Sequence, residues 1–274
     1  GEWKIKTSPS VTYGTNGFFI LKDGNSVTDQ SGEGNNCTVA GGTLTKTEDN
    51  PSNVFATLNP LSFSTGFSLS NGNNYFNGGS ITNWEHGCAS TIGASSGKYY
   101  WEVKWKNGVS TSIVGVLPID QSYRCNNSGG SLYNYSNAWQ LANNGAGDKY
   151  SYVASNGSGF QRAHDDVIMF AMDMDNKKLW SGANGTWYSS GNPATGANPT
   201  WNTSEFPSDW DNGFIPYCQS YNSGTATEFA FNFGNGFFGT TAVASAGTNA
   251  SGNGIFEFDV PTGFTALSTK GLNL

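Results

Sequence analysis

The segment Asp166-Val-Ile-Met-Phe-Ala-Met-Asp173 is an unbroken apolar run bounded by acids, the pattern of a strand covered on both faces in the middle of a sheet. Upstream, Tyr99, Trp101, Val103 and Trp105 alternate with Tyr100, Glu102, Lys104 and Lys106, which predicts a half-buried strand with the first set inward. After the apolar run, the turn cluster Asp175–Lys178 leads to Leu179-Trp180, and the Asn184-Gly185 turn leads to Thr186-Trp187-Tyr188, so these pieces read as a chain of hairpins. A second alternating strand covers Thr227–Phe233 with Phe229, Phe231 and Phe233 inward, and Phe214–Gln219 is expected beside it across the Tyr221–Gly224 turn. Together these elements predict an all-β fold, an antiparallel two-sheet β-sandwich centred on Gly97–Tyr188.

The rest of the composition agrees with strands and elaborate turns. There are 37 Gly and abundant Ser, Thr and Asn, while only 12% of residues are charged and 14% are aromatic. Gly, Asn, Ser and Thr favour turns over helix, so helix is expected to be minor. With 274 residues the chain can bury roughly three quarters of its unfolded surface. The formal charge of −7 and the absence of any Lys/Arg-rich run argue against nucleic acid and against a polybasic membrane patch as partners. No stretch is long and apolar enough to insert in a membrane as a helix, and the start Gly1-Glu2-Trp3-Lys4 has no secretion-signal pattern. Beginning without Met, the chain is expected to be processed or part of something longer.

Gly17–Leu21, Cys37–Val39 and Val54–Ala56 are weaker strand candidates, and a single domain over 1–274 is expected, with flanks 1–89 and 236–274 completing the sheets. Three turn-rich insertions interrupt it: Asp120–Lys149, Ser189–Asp211 and Gly239–Gly254, the last read as a flexible surface excursion. Cys37, Cys88, Cys125 and Cys218 are too irregularly spaced for CxxC zinc or redox motifs, and free thiols in a reducing cytosol or at least one disulfide both remain open.

The order Gly97-Lys-Tyr-Tyr-Trp-Glu-Val103, Ile113-Val-Gly-Val116, Asp166-Val-Ile through Leu179, Asn184-Gly185, Phe214-Ile-Pro-Tyr217 and Asn232-Phe-Gly234 resembles the SPRY domain, over about residues 90–235. One departure is Met169-Phe170, where that family often has Gly after the Ile. The resemblance implies a SPRY/concanavalin-like jelly roll. Gly14–Ile20, Asp49–Pro60, Asn192–Gly196 and Val260–Lys270 are similar to segments of SPRY-like domains in bacteriophage structural and tail proteins. That likeness implies a virion protein assembled in the host cytoplasm, part of a tail fibre, appendage or capsid decoration. It also implies a homo-oligomer whose partners are other virion subunits, host-surface glycan or a protein receptor.

Candidate chemistry is sparse. His86 and His164 sit in no nucleophile or zinc motif. The concanavalin-like glycosidase pattern ExDxxE is approached only by Glu257-Phe-Asp259-Val-Pro-Thr262, where the last acid is missing, so no catalytic residue is assigned. Asp173 with Asp175, and Asp209 with Asp211, are read as turn-forming acids, with calcium as the alternative. No cofactor or metal is expected. Tyr133, Tyr135 and Trp139 in the first insertion and Trp201 and Trp210 in the second stand among amides and hydroxyls, a mixture that suits sugar binding, protein binding or self-packing. These five are the candidate ligand-binding residues of a non-catalytic binding module. A concanavalin-like carbohydrate-active enzyme and a cellular SPRY peptide-binding adaptor are the alternatives.

Overall fold

The computed structural model describes residues 9–21, 26–41, 49, 53–63, 66–79, 86–107, 112–126, 138–143, 149–151, 154–155, 163–202, 210, 212–220 and 226–273. The chain divides into two compact units, Gly1–Asn53 and Val54–Leu274.

In the first unit the described residues form no strand, so Gly17–Leu21 and Cys37–Val39 are not the strands their composition predicts. Polar side chains organise the backbone instead. Asp29 Oδ1 accepts the N–H groups of Phe19 (2.9 Å) and Ser31 (2.8 Å), and its Oδ2 accepts the Ser31 hydroxyl and the Asn35 N–H, both at 2.8 Å. Asn35 Nδ2 donates to the carbonyls of Thr15 and Gly17. Local Asx bonding of this kind competes with a ladder.

The second unit is the sandwich. Its strands are β1 Leu58–Phe63, β2 Ser68–Ser70, β3 Tyr75–Asn77, β4 His86–Ser90, β5 Lys98–Asn107, β6 Ser112–Pro118, β7 Trp139–Asn143, β8 Lys149–Ser151, β9 Ala154–Ser155, β10 Val167–Asp173, β11 Lys178–Ala183, β12 Thr186–Trp187, β13 Phe214–Ser220, β14 Glu228–Asn232, β15 Phe237–Phe238, β16 Thr241–Ala242 and β17 Thr265–Ala266. One sheet has the order β1-β4-β13-β6-β7-β8-β9 and the other β12-β11-β10-β5-β14-β3-β2, with β17 parallel to β5. Helical structure among the described residues is short 3-10 turns, at Ile119–Asn126, Tyr188–Ser190 and Gly271–Asn273.

β10 is buried along its whole length between β5 and β11, as its unbroken apolar run requires. Asn184 (φ 48°) and Gly185 (φ 82°) take the left-handed conformations of a tight hairpin turn joining β11 to β12. Trp101 joins the two sheets: its ring stacks on Phe170 of the neighbouring strand at 5.2 Å and on Phe214 of the facing sheet at 5.9 Å. Trp105 meets Phe229 edge-on at 4.7 Å.

Three expectations are corrected. Phe214–Gln219 lies in β13 and Thr227–Phe233 contains β14, but these strands belong to opposite sheets and do not pair as a hairpin. Val54–Ala56 is not a strand; Phe55 makes one antiparallel bridge, to Ser268. The outer face of β5 is not a solvated one, because Tyr100 and Glu102 are fully buried beneath the segment 255–260.

The insertions also differ from plain loops. The first opens with the 3-10 turn Ile119–Asn126, which places Cys125 against Ala89, Ile113, Leu117 and Tyr217 on the outer face of the β6–β13 sheet. It then supplies β7 and the start of β8. The third is pinned rather than free: β15 pairs with β16, Gly247 N–H bonds the Phe256 carbonyl, and Asn249 Nδ2 donates to the carbonyls of Asn253 and Gly254.

Candidate functional site

Trp139 begins β7, Trp201 bridges to Leu179 of β11, and Trp210 precedes β13. All three are buried, at 1%, 0% and 0% exposure. Trp139 stacks on Trp201 at 6.0 Å with 10° between the planes, and its centroid lies 4.8 Å from that of Trp210. The first and second insertions are therefore tied together at one place inside the sandwich. Of the readings open to these side chains, self-packing describes their environment: a buried indole offers no face to a sugar. Tyr133 and Tyr135 lie outside the described residues.

The acids at the end of β10 and in the turn after it have structural partners. Asp173 Oδ1 accepts the Asn176 N–H at 2.9 Å, and its Oδ2 accepts Asn176 Nδ2 at 2.8 Å and pairs with Lys98 Nζ at 3.0 Å. Asp175 accepts the Gly97 N–H at 2.8 Å, closing the turn against the start of β5. Asp209 and Asp211 lie outside the described residues. Among the described residues no group of three His, Cys, Asp or Glu side chains is placed to hold a metal ion. His164 is exposed in a turn, and His86 begins β4.

The group that sequence reading missed is Glu102. Its Oε1 accepts from the Tyr100 hydroxyl (2.9 Å) and the Phe258 N–H (2.8 Å), and its Oε2 from the Glu257 N–H (2.9 Å) and Asn232 Nδ2 (3.2 Å). Asn232 also donates to the Ile255 carbonyl at 3.0 Å, while its Oδ1 accepts the N–H groups of Gly234 and Gly236. This carboxylate fastens the segment 255–260 across the sheet, and it explains what the Asn232-Phe-Gly234 motif does. Burial pushes the Glu102 carboxyl up to about 7, against four hydrogen bonds that favour the anion. The alternation of β5 could not show this, because the covering residues lie about 155 positions downstream.

Cys88, Cys125 and Cys218 are buried free thiols and Cys37 is an exposed one. Cys88 and Cys218 stand opposite each other between β4 and β13. Burial pushes the Cys88 thiol up to about 12 and raises those of Cys125 and Cys218, which removes them from thiolate chemistry near neutral pH.

No protein-family model matches the chain, and no curated protein matches it. Among solved structures it is similar to the SPRY domain of human HERC1, at 17% identity and a TM-score of 0.42 over 64% of this chain and 96% of that one. It is also similar to the PSpry domain of TRIM65, at 12% identity and 0.47 over 65% of this chain and 89% of that one. A third is stonustoxin, at 13% identity and 0.45 over 64% of this chain and 28% of that one. At these levels nothing functional transfers. The fold class, an antiparallel β-sandwich of the SPRY/concanavalin-like kind, rests on the two sheets and on the motifs occupying β5, β6, β10–β12, β13 and β14 in order.

Proposed function

We propose that this chain is a non-catalytic binding module of a bacteriophage virion, in a tail fibre, appendage or capsid decoration, and that its first two insertions contact host-surface glycan or neighbouring virion proteins. The observation that carries the binding role is the Trp139–Trp201–Trp210 stack, which ties both insertions to one rigid point of the scaffold. Recognition segments held on a rigid scaffold are the usual way a sandwich acquires specificity. Tyr133 and Tyr135, between the anchors of the first insertion, are the contact residues of this reading. The virion context rests on the likeness of the flanking segments to phage structural proteins. The acids nearest a glycosidase pattern have other engagements: Glu257 faces Lys104 at 4.0 Å, and Asp259 Oδ1 accepts the Thr248 N–H and hydroxyl.

Binding of the chain to a host-surface glycan array and to purified virion proteins tests this, with a Tyr133→Ala/Tyr135→Ala double variant alongside. Saturable binding that the variant loses, without a change in melting temperature, supports the assignment. Binding that the variant keeps refutes the contact residues. Sugar release by the wild type that a carboxylate-to-amide variant abolishes refutes the non-catalytic reading.

A further inference from the structure

The face of the sandwich opposite the core carries a pocket of about 320 Å³ lined by Met169 of β10, Gly185 of the hairpin turn, Trp187 of β12, and Glu257, Phe258 and Asp259 of the segment that Glu102 fastens down. Close backbone packing keeps two glycines beside these residues free of side chains. A Cβ on Gly182, which pairs with both Met169 and Trp187, would stand 2.5 Å from the Thr186 carbonyl oxygen and 2.8 Å from Met169 Cε. Gly185 has φ +82°, and a Cβ there would lie 3.1 Å from the Phe258 ring. The rim at Gly185 and Asp259 is exposed, while Met169 is buried.

Both charged side chains that line this pocket are acidic. Glu257 and Asp259 line it, and Glu102 lies beneath the same segment, accepting the backbone N–H groups of Glu257 and Phe258. A neighbouring cation among the described residues is Lys104, whose Nζ is 4.0 Å from Glu257 but also lies 4.7 Å from the centroid of the Phe238 ring. Asp259 fixes its Oδ1 on Thr248 at 2.7 Å and 2.8 Å, and its Oδ2 accepts no hydrogen bond from the described residues. Two carboxylates, an indole, a phenyl ring and a thioether around one opening make a site for a positive charge carried on an apolar stem, since ring faces and carboxylates both attract a cation while the stem covers apolar wall.

We propose that this pocket receives an organic cation on an aliphatic stem, the arginine or lysine side chain of a protein partner, with Asp259 and Glu257 holding the charge and Trp187 and Phe258 the stem. This site is separate from the two insertions, and it stands or falls independently of the virion reading.

The test is a titration of the whole chain with N-acetyl-arginine amide and, in parallel, with the neutral N-acetyl-norleucine amide, followed by NMR of the tryptophan indole N–H signals. Saturable shifts are expected for the arginine probe alone, with binding about tenfold weaker in Asp259→Asn, the cost of one charge-assisted hydrogen bond. Asn keeps the acceptor for Thr248, and Glu257→Gln, whose charge is removed without touching that contact, provides a second variant should the first melt early. Absence of saturation with the arginine probe, equal shifts with the norleucine probe, or full affinity in both variants overturns the proposal.

Discussion

The buried carboxyl of Glu102 makes the stability of the sandwich depend on pH in a direction opposite to that of most acids. In the unfolded chain this group titrates near 4.5, and in the folded chain burial raises it to about 7. Between those values the folded protein holds a proton that the unfolded chain has released. The contribution is therefore fully present below 4.5 and lost as the pH rises through about 7. A difference of about 2.5 pH units at about 1.4 kcal/mol each gives a full loss of about 3.5 kcal/mol, of which about 2.5 kcal/mol falls between about pH 5 and about pH 8. Asp165 and Asp259 are held below 3.8, by the Lys106 ammonium and by the Thr248 donors respectively, so their contributions are lost only on the acid side of this window. Urea unfolding followed by tryptophan fluorescence at about pH 5 and about pH 8 measures the effect. The wild type should lose about 2.5 kcal/mol between the two conditions, and Glu102→Gln, neutral at both, should not. An equal loss in the variant, or none in the wild type, refutes the assignment of the buried proton to Glu102.

Further outcomes follow from the interior. Trp139→Ala and Trp201→Ala should each cost about 3–5 kcal/mol in urea unfolding. Because the rings stack at 6.0 Å, the double variant should lose less than the sum of the single losses by roughly 0.5–3 kcal/mol, and strict additivity would contradict the stack. A thiol reagent should label Cys37 in the native chain and all of the cysteines in denaturant, since the other three are buried and free; an unchanged titre on unfolding would mean disulfides. Gly115→Ala should destabilise by about 1–3 kcal/mol or more, because the new Cβ would stand 2.2 Å from the Trp139 carbonyl oxygen of β7, and an unshifted melting temperature would contradict that register.

The strands whose residues carry their own instruction were legible from the sequence. The Val167–Met172 run needs cover on both faces wherever it lies, and the Asn184-Gly185 pair closes a tight turn through its own backbone preferences, so both were readable locally. The inward face of β5 was readable for the same reason, because a period of two is a property of the strand. What covers the other face is not. Tyr100 and Glu102 look like the polar side of a half-buried strand until the segment 255–260 is laid over them, and nothing within β5 encodes that distant contact. The same holds for Phe214–Ser220 and Glu228–Asn232, adjacent in sequence but in opposite sheets, since the choice of partner strand is made by burial across the whole sandwich. Trp139, Trp201 and Trp210 were recognisable as aromatic residues in polar surroundings, and only tertiary packing turned their rings inward onto one another. Local pattern determined the central strands β5, β10 and β14 and the inward face of β5, and long-range packing decided which surfaces remain for a partner to touch, because a surface is defined by everything that fails to cover it.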